Sequence, residues 1–154
     1  MAMHKDWRKT TNDKVGGTLR IVAGVIFLMA GVLKIAVPSL GAAFAGQISA
    51  ASIPFPELVE HSFPVVEAVL GILLLVGLHA RISALIAAIS MLVATYVHIV
   101  VDDPSLFPLQ PIEPIGPLML LSMLLYTVFR GAGAWSVDLK EFAHRESASS
   151  KTIQ

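Results

Sequence analysis

Four long stretches almost free of charge decide what this chain of 154 residues can become. They run over about 18–37, 63–78, 82–101 and 112–129. A bilayer core of about 30 Å is crossed by about 20 apolar residues of helix, each rising about 1.5 Å. Each stretch approaches that length, the second only if part of PELVEHSF extends it upstream, so that Pro64 either starts this helix or kinks a longer one. Of the 11 basic and 11 acidic side chains, only Lys34 and Glu67 sit in the interior of these stretches, Arg20 and Glu113 lying at their very starts. Soluble globular chains are about 25% charged, and this one is 14% charged and 55% apolar, so its surface cannot face water throughout. The expected fold is all-α, a four-transmembrane-helix bundle with an interfacial or re-entrant segment between helices 1 and 2. A disordered tail, a secreted disulfide scaffold and, at net charge zero, a nucleic-acid-binding domain are excluded.

Ten of the 11 lysines and arginines fall on one side of this plan. Lys5, Arg8, Lys9 and Lys14 precede the first span and Arg20 opens it, Arg81 separates the second from the third, and Arg130, Lys140, Arg145 and Lys151 follow the fourth. Segments 38–62 and 102–111 contain no basic residue and hold Glu57, Glu60, Asp102 and Asp103. Basic segments stay in the cytoplasm, so a cytoplasmic segment 1–17, a membrane domain 18–139 and a cytoplasmic tail 140–154 are expected, with the two longer loops outside. Trp7 and Trp135 suit a cytoplasmic aromatic belt.

The first outer segment is no ordinary linker. Leu40, Phe44, Ile48 and Ala51 recur at helical spacing, which predicts an apolar helix along or dipping into the outer interface, ending near Pro54-Phe55-Pro56. Ala43-Phe44-Ala45 looks like a signal-peptidase site, but the apolar run before it is too long, contains Lys34 and follows an extended charged segment, so the first span is read as retained. Residues 136–142 are expected to form a short surface helix with Asp138 and Glu141 spaced as a capping box, followed by a disordered tail.

An ionisable side chain inside a membrane span is costly and marks a functional candidate. Lys34 lies three residues before Val37, Glu67 three after Pro64 and His98 three before Val101, each roughly 4.5 Å below the expected outer end of its span. His98 continues a stripe of Ala84, Ala88, Met91 and Thr95, and Glu67 shares a face with Gly71 and Leu74. Lys34 is displaced by about 60° from the face of Gly24, Leu28 and Gly31 but is long enough to reach inward. Glu57, Glu60 and His61 would form an acidic outer mouth if their stretch is helical. Three readings stay open: a structural Lys34–Glu67 ion pair with His98 bonded nearby, a quinone head-group site, or a divalent metal held by Glu60, His61, Glu67 and His98.

Other chemistry is excluded. There is no cysteine for a disulfide relay, an iron–sulfur cluster or covalent haem, and only His98 among five histidines is embedded, too few for a bis-histidine haem. No intrinsic cofactor is expected, a quinone being the one candidate for a bound group, and four short helices leave little room to enclose a large cofactor, so another protein subunit or a homo-oligomer is the expected partner beside the lipid bilayer.

Arg20, Gly31 and Lys34, then Glu67, Gly71, Gly77-Leu78 and Arg81, and finally the segment Gly131-Ala-Gly-Ala-Trp-Ser-Val-Asp138 resemble the DoxX/DoxD-like membrane proteins in order and spacing. The resemblance covers about 15–139. It implies a four-helix, multi-pass subunit of a bacterial-type inner (plasma) membrane, accessory to a quinone-linked oxidoreductase such as thiosulfate:quinone oxidoreductase. It transfers no catalytic residue, and the cysteine pair of distantly similar thiol oxidoreductases is absent. From another functional class, a non-enzymatic assembly subunit or a small-solute transport protein remains the alternative.

Overall fold

A computed structural model describes residues 10–151, which are all-helical with no strand among them. The helices are α1 (Lys14–Ala36), α2 (Pro38–Ala50), α3 (Pro56–Val76), α4 (Ala80–Val100), a 3-10 helix (Pro104–Leu106), α5 (Ile115–Arg130) and α6 (Val137–Lys151). By length and composition α1, α3 and α4 can each cross a membrane, and α5 is a shorter apolar helix of 16 residues. Trp7 and the basic residues Lys5, Arg8 and Lys9 lie outside the described residues.

Local chemistry sets the boundaries. Asp13 accepts from the Val15 amide and starts α1 one turn before the expected position. Pro38 forces Val37 into an extended conformation, so the chain turns there and begins α2. Helix α3 starts at Pro56, two turns ahead of 63, and carries Pro64 in its interior. Gly77 ends it in the left-handed region at φ 70°, and the Leu78 amide bonds back to the Leu73 carbonyl.

Two differences concern the C-terminal third. Helix α5 begins at Ile115 rather than 112, after Pro114. Helix α6 runs to Lys151, so residues 147–151 are helical where a disordered tail was expected, and 152–154 lie outside the described residues. The expected capping box is also displaced. Ser136 Oγ accepts from the Leu139 amide and starts α6, while the Asp138 carboxylate accepts from the His79 and Ala80 amides and caps α4 instead. Asp138 stands in the first turn of α6, so its negative charge serves the amino ends of both α6 and α4.

Helix α1 packs most extensively on α3, and α4 on α5. Ala23, Phe27, Leu74, Ala84, Met91 and Leu124 centre the core between the two pairs. A smaller cluster of Ala51, Val97, Val101 and Phe107 lies under the segments that join α1 to α3 and α4 to α5. Those segments meet each other: Gln47 on α2 donates to the Leu106 carbonyl of the 3-10 helix, and Gly46 leaves the space that the Leu106 side chain fills. We call this the cap end, and the opposite one the terminal end.

Candidate functional site

The site begins with the close approach of α1 and α3. A Cβ on Gly31 would overlap the Pro64 carbonyl and the Ala68 amide, and one on Gly71 would overlap the Leu28 backbone. Only glycine allows backbones this near. One turn beyond Gly31 lies Lys34, one turn beyond Pro64 lies Glu67, and the Lys34 ammonium donates to Glu67 Oε2 at 2.6 Å. The Lys34 stem escapes its displaced position on α1 by reaching sideways, leaving its side chain 21% exposed and that of Glu67 5%. Phe44 of α2 covers the ammonium with its ring centre at 4.6 Å, and Phe63 stacks on Phe44 at 6.0 Å.

His98, on the last turn of α4, is buried like Ala84, Ala88 and Met91 of its stripe. Its Nδ1–H donates to the Ile112 carbonyl at 2.8 Å, and its ring meets Phe107 at 4.4 Å. The Ile112 carbonyl is available because α5 starts three residues later. Lys34, Glu67 and His98 all line one cavity of about 420 Å³, walled by apolar side chains from α1 to α5, with Gln47, Ser90 and Gln110 as further polar lining. That volume lies within the range of about 300–1,000 Å³ typical of small-molecule sites.

The expected outer mouth is not assembled. The stretch is helical, yet Glu57 and His61 are exposed, and His61 turns to the Glu57 carbonyl at 2.8 Å and to Glu60 at 3.3 Å. None of the three lines the cavity. Because α3 starts at Pro56, Glu67 lies three turns from its end rather than one, and Glu57, Glu60 and His61 are carried beyond the polar layer. Glu60 and His61 thus do not join Glu67 and His98, and among the described residues no group of three metal-ligating side chains is found.

Sequence reasoning missed Phe44, Phe107 and Gln47 as site residues. Gln47 had a signal: it is the one amide side chain in the apolar segment 38–55. The terminal end holds a second polar cluster that periodicity could not reveal. Arg20, fully buried, donates from Nε to the Ala132 carbonyl at 2.7 Å, from Nη1 to those of Leu74 and Leu75, and from Nη2 to those of Ala134 and Trp135. Arg81 donates to the Val128 and Phe129 carbonyls at the end of α5. The guanidinium forks thus satisfy carbonyls at the ends of α3 and α5 and in the segment between α5 and α6.

Arg20, Gly31, Lys34, Glu67, Gly71, Gly77 and Arg81 all fall in the region 17–99, and a family model described as DoxX matches those residues, more than half of the chain. The chain belongs to the DoxX family. With its long apolar helices, this DoxX protein is a membrane protein. Comparison with curated proteins and with solved structures finds no match. The matched region ends at Ile99, yet the segment 131–138 is built into it through Arg20 and through Asp138 on α4.

Proposed function

We propose that this DoxX protein is an accessory membrane subunit of a quinone-linked oxidoreductase system and that its cavity takes a quinone head group. The observation that carries the reading is the convergence of Lys34, Glu67 and His98, from three helices, on one otherwise apolar cavity. Ionisable groups at this depth are retained where they serve a pathway or a ligand. Lys34 holds further N–H donors beyond the one given to Glu67, directed by Phe44, and can donate to a ring oxygen. Glu67 can take up or release a proton on the same side. The apolar walls exclude water from the ring. A quinone held there would supply two-electron, two-proton redox chemistry; we assign the electron donor to a partner subunit, the chain having no cysteine and the described residues no cluster of metal-ligating side chains.

The same reading places α5 across the membrane as a fourth span. Its 16 residues give about 24 Å of helix, and the polar segments at both ends make up the remainder. Helix α2, with Phe44 and Ile48 buried, lies in the outer interface as a re-entrant cover over the cavity. The one-sided distribution of lysine and arginine orients both termini to the cytoplasm of a bacterial-type inner membrane.

A second reading, a non-enzymatic assembly or transport subunit in which the pair only locks helices, is favoured by one observation: Lys34 and Glu67 already satisfy each other at 2.6 Å. Gentle detergent purification followed by mass spectrometry of co-eluting proteins and extracted lipids separates the two. A stoichiometric oxidoreductase subunit or bound quinone is the expected result. A protein carrying neither, whose deletion leaves quinone-linked respiration unchanged, favours the second reading.

A further inference from the structure

The hydrogen-bonding capacity left inside the cavity narrows what can occupy it, given the reading of the cavity as a quinone-head site. His98 is only 7% exposed, and its Nδ1 bonds to the Ile112 carbonyl. A carbonyl can only accept, so Nδ1 carries the proton, and Nε2 of the neutral ring is an acceptor. Nε2 has no protein partner among the described residues, and no buried polar atom there is both sealed and unpaired, so Nε2 is reached through the cavity that His98 lines. Glu67, 4% exposed, commits Oε2 to Lys34; its Oε1 likewise has no protein partner and is not sealed. The Lys34 ammonium and, at the exposed rim, the Gln110 amide can donate to an oxygen of either ring form and so do not choose between them; the two further buried atoms held ready, His98 Nε2 and Glu67 Oε1, are both acceptors.

Charge and shape restrict the occupant further. The Lys34 cation is matched by Glu67, which leaves no net positive charge to hold an anion. Ile26, Val93 and Met119 line the cavity well inside their helices and are 40%, 43% and 56% exposed, so the cavity opens toward the lipid-facing side of the bundle. The occupant that fits is uncharged, has an apolar tail leaving through that opening, and gives O–H hydrogens at its head. The oxidised ring offers carbonyl oxygens alone, whereas the reduced ring bears two hydroxyls.

We propose that the cavity holds the reduced, hydroxyl-bearing quinol in preference to the quinone, its ring O–H groups donating to His98 Nε2 and Glu67 Oε1. The test measures binding of a short-chain alkyl 1,4-benzoquinol, its quinone and its dimethyl ether to the purified full chain in lipid nanodiscs under anaerobic conditions. The quinol should bind about tenfold or more tightly than either of the others, as expected when a buried acceptor gains or lacks its donor. The dimethyl ether keeps the ring and removes both donors, so this comparison needs no variant. His98→Asn keeps an N–H donor near the Nδ1 position and removes the Nε2 acceptor, and it should bring the quinol to within about threefold of the quinone. Equal or tighter binding of the quinone, or a quinol preference unchanged in His98→Asn, overturns the proposal and leaves the quinone-site reading standing. Binding of none of the three probes overturns both.

Discussion

The Lys34 ammonium and Glu67 Oε2 meet at 2.6 Å between α1 and α3, at a height fixed by Gly31, whose missing side chain admits the Pro64 carbonyl. Removing one partner strands the other. Glu67→Gln and Lys34→Met are each expected to lower stability by about 3 kcal/mol, whereas Lys34→Met combined with Glu67→Leu should regain most of it, since an apolar pair needs no compensation. Thermal unfolding in one detergent checks this double-mutant cycle. The double variant should fold and bind no quinone or quinol.

Gly31→Ala tests the approach itself. The added methyl would overlap backbone atoms of α3 that cannot move as a side-chain end could. A loss of about 1–3 kcal/mol is expected. The same change at Gly116, where a Cβ meets nothing, should leave the melting temperature unaltered.

Arg20 serves five carbonyls from three nitrogens. Lysine offers three donors from one point, so Arg20→Lys should leave at least two carbonyls unpaired at about 1–3 kcal/mol each. Arg20→Met should yield no monodisperse protein by size-exclusion chromatography.

The three apolar runs that became α1, α3 and α4 were legible because burial in lipid demands long uncharged helices. The stripe ending at His98 was legible for a related reason: small residues at helical spacing mark a contact face. The start of α3 was not, because Pro64 is equally compatible with a helix start and a helix interior, and Pro56 offers a second start of the same kind. That shift carried Glu57, Glu60 and His61 away from the cavity. Nor was the terminal end legible. In sequence Arg20 counts among the cytoplasmic-side basic residues and Asp138 reads as half of a capping box, whereas their real partners are backbone groups 54 to 115 residues away, a separation no periodicity encodes.

Asp13 supplies a pH dependence. The Tyr126 hydroxyl, donating at 2.8 Å, together with the backbone amides of Gly16 and Val15, holds its carboxyl below the ordinary carboxylate value. A carboxyl depressed in the folded state stabilises fully above its unfolded value of about 3.9 and loses that contribution as pH falls through the folded value. Wild type should therefore melt higher than Asp13→Asn at neutral pH, and the difference should shrink when unfolding is followed into the acid range below about pH 4. Tyr126→Phe should move the same transition to higher pH.

The proposed orientation is open to labelling, since the chain has no cysteine of its own. With an impermeant thiol reagent in intact cells, Ser105→Cys should label and Lys140→Cys should not, becoming reactive only after permeabilisation. The reverse pattern would invert the topology.

The cavity is the centre of this account, and photolabelling of the purified protein with an azido-benzoquinone carrying a short alkyl tail tests it most directly. Peptide mapping should place the adduct on the cavity walls, in peptides containing Phe44, Met91, Met119 or Met123, and an excess of unmodified quinol should suppress it. An adduct confined to α6 or to surfaces away from these walls, or labelling that excess quinol leaves unchanged, would contradict the account.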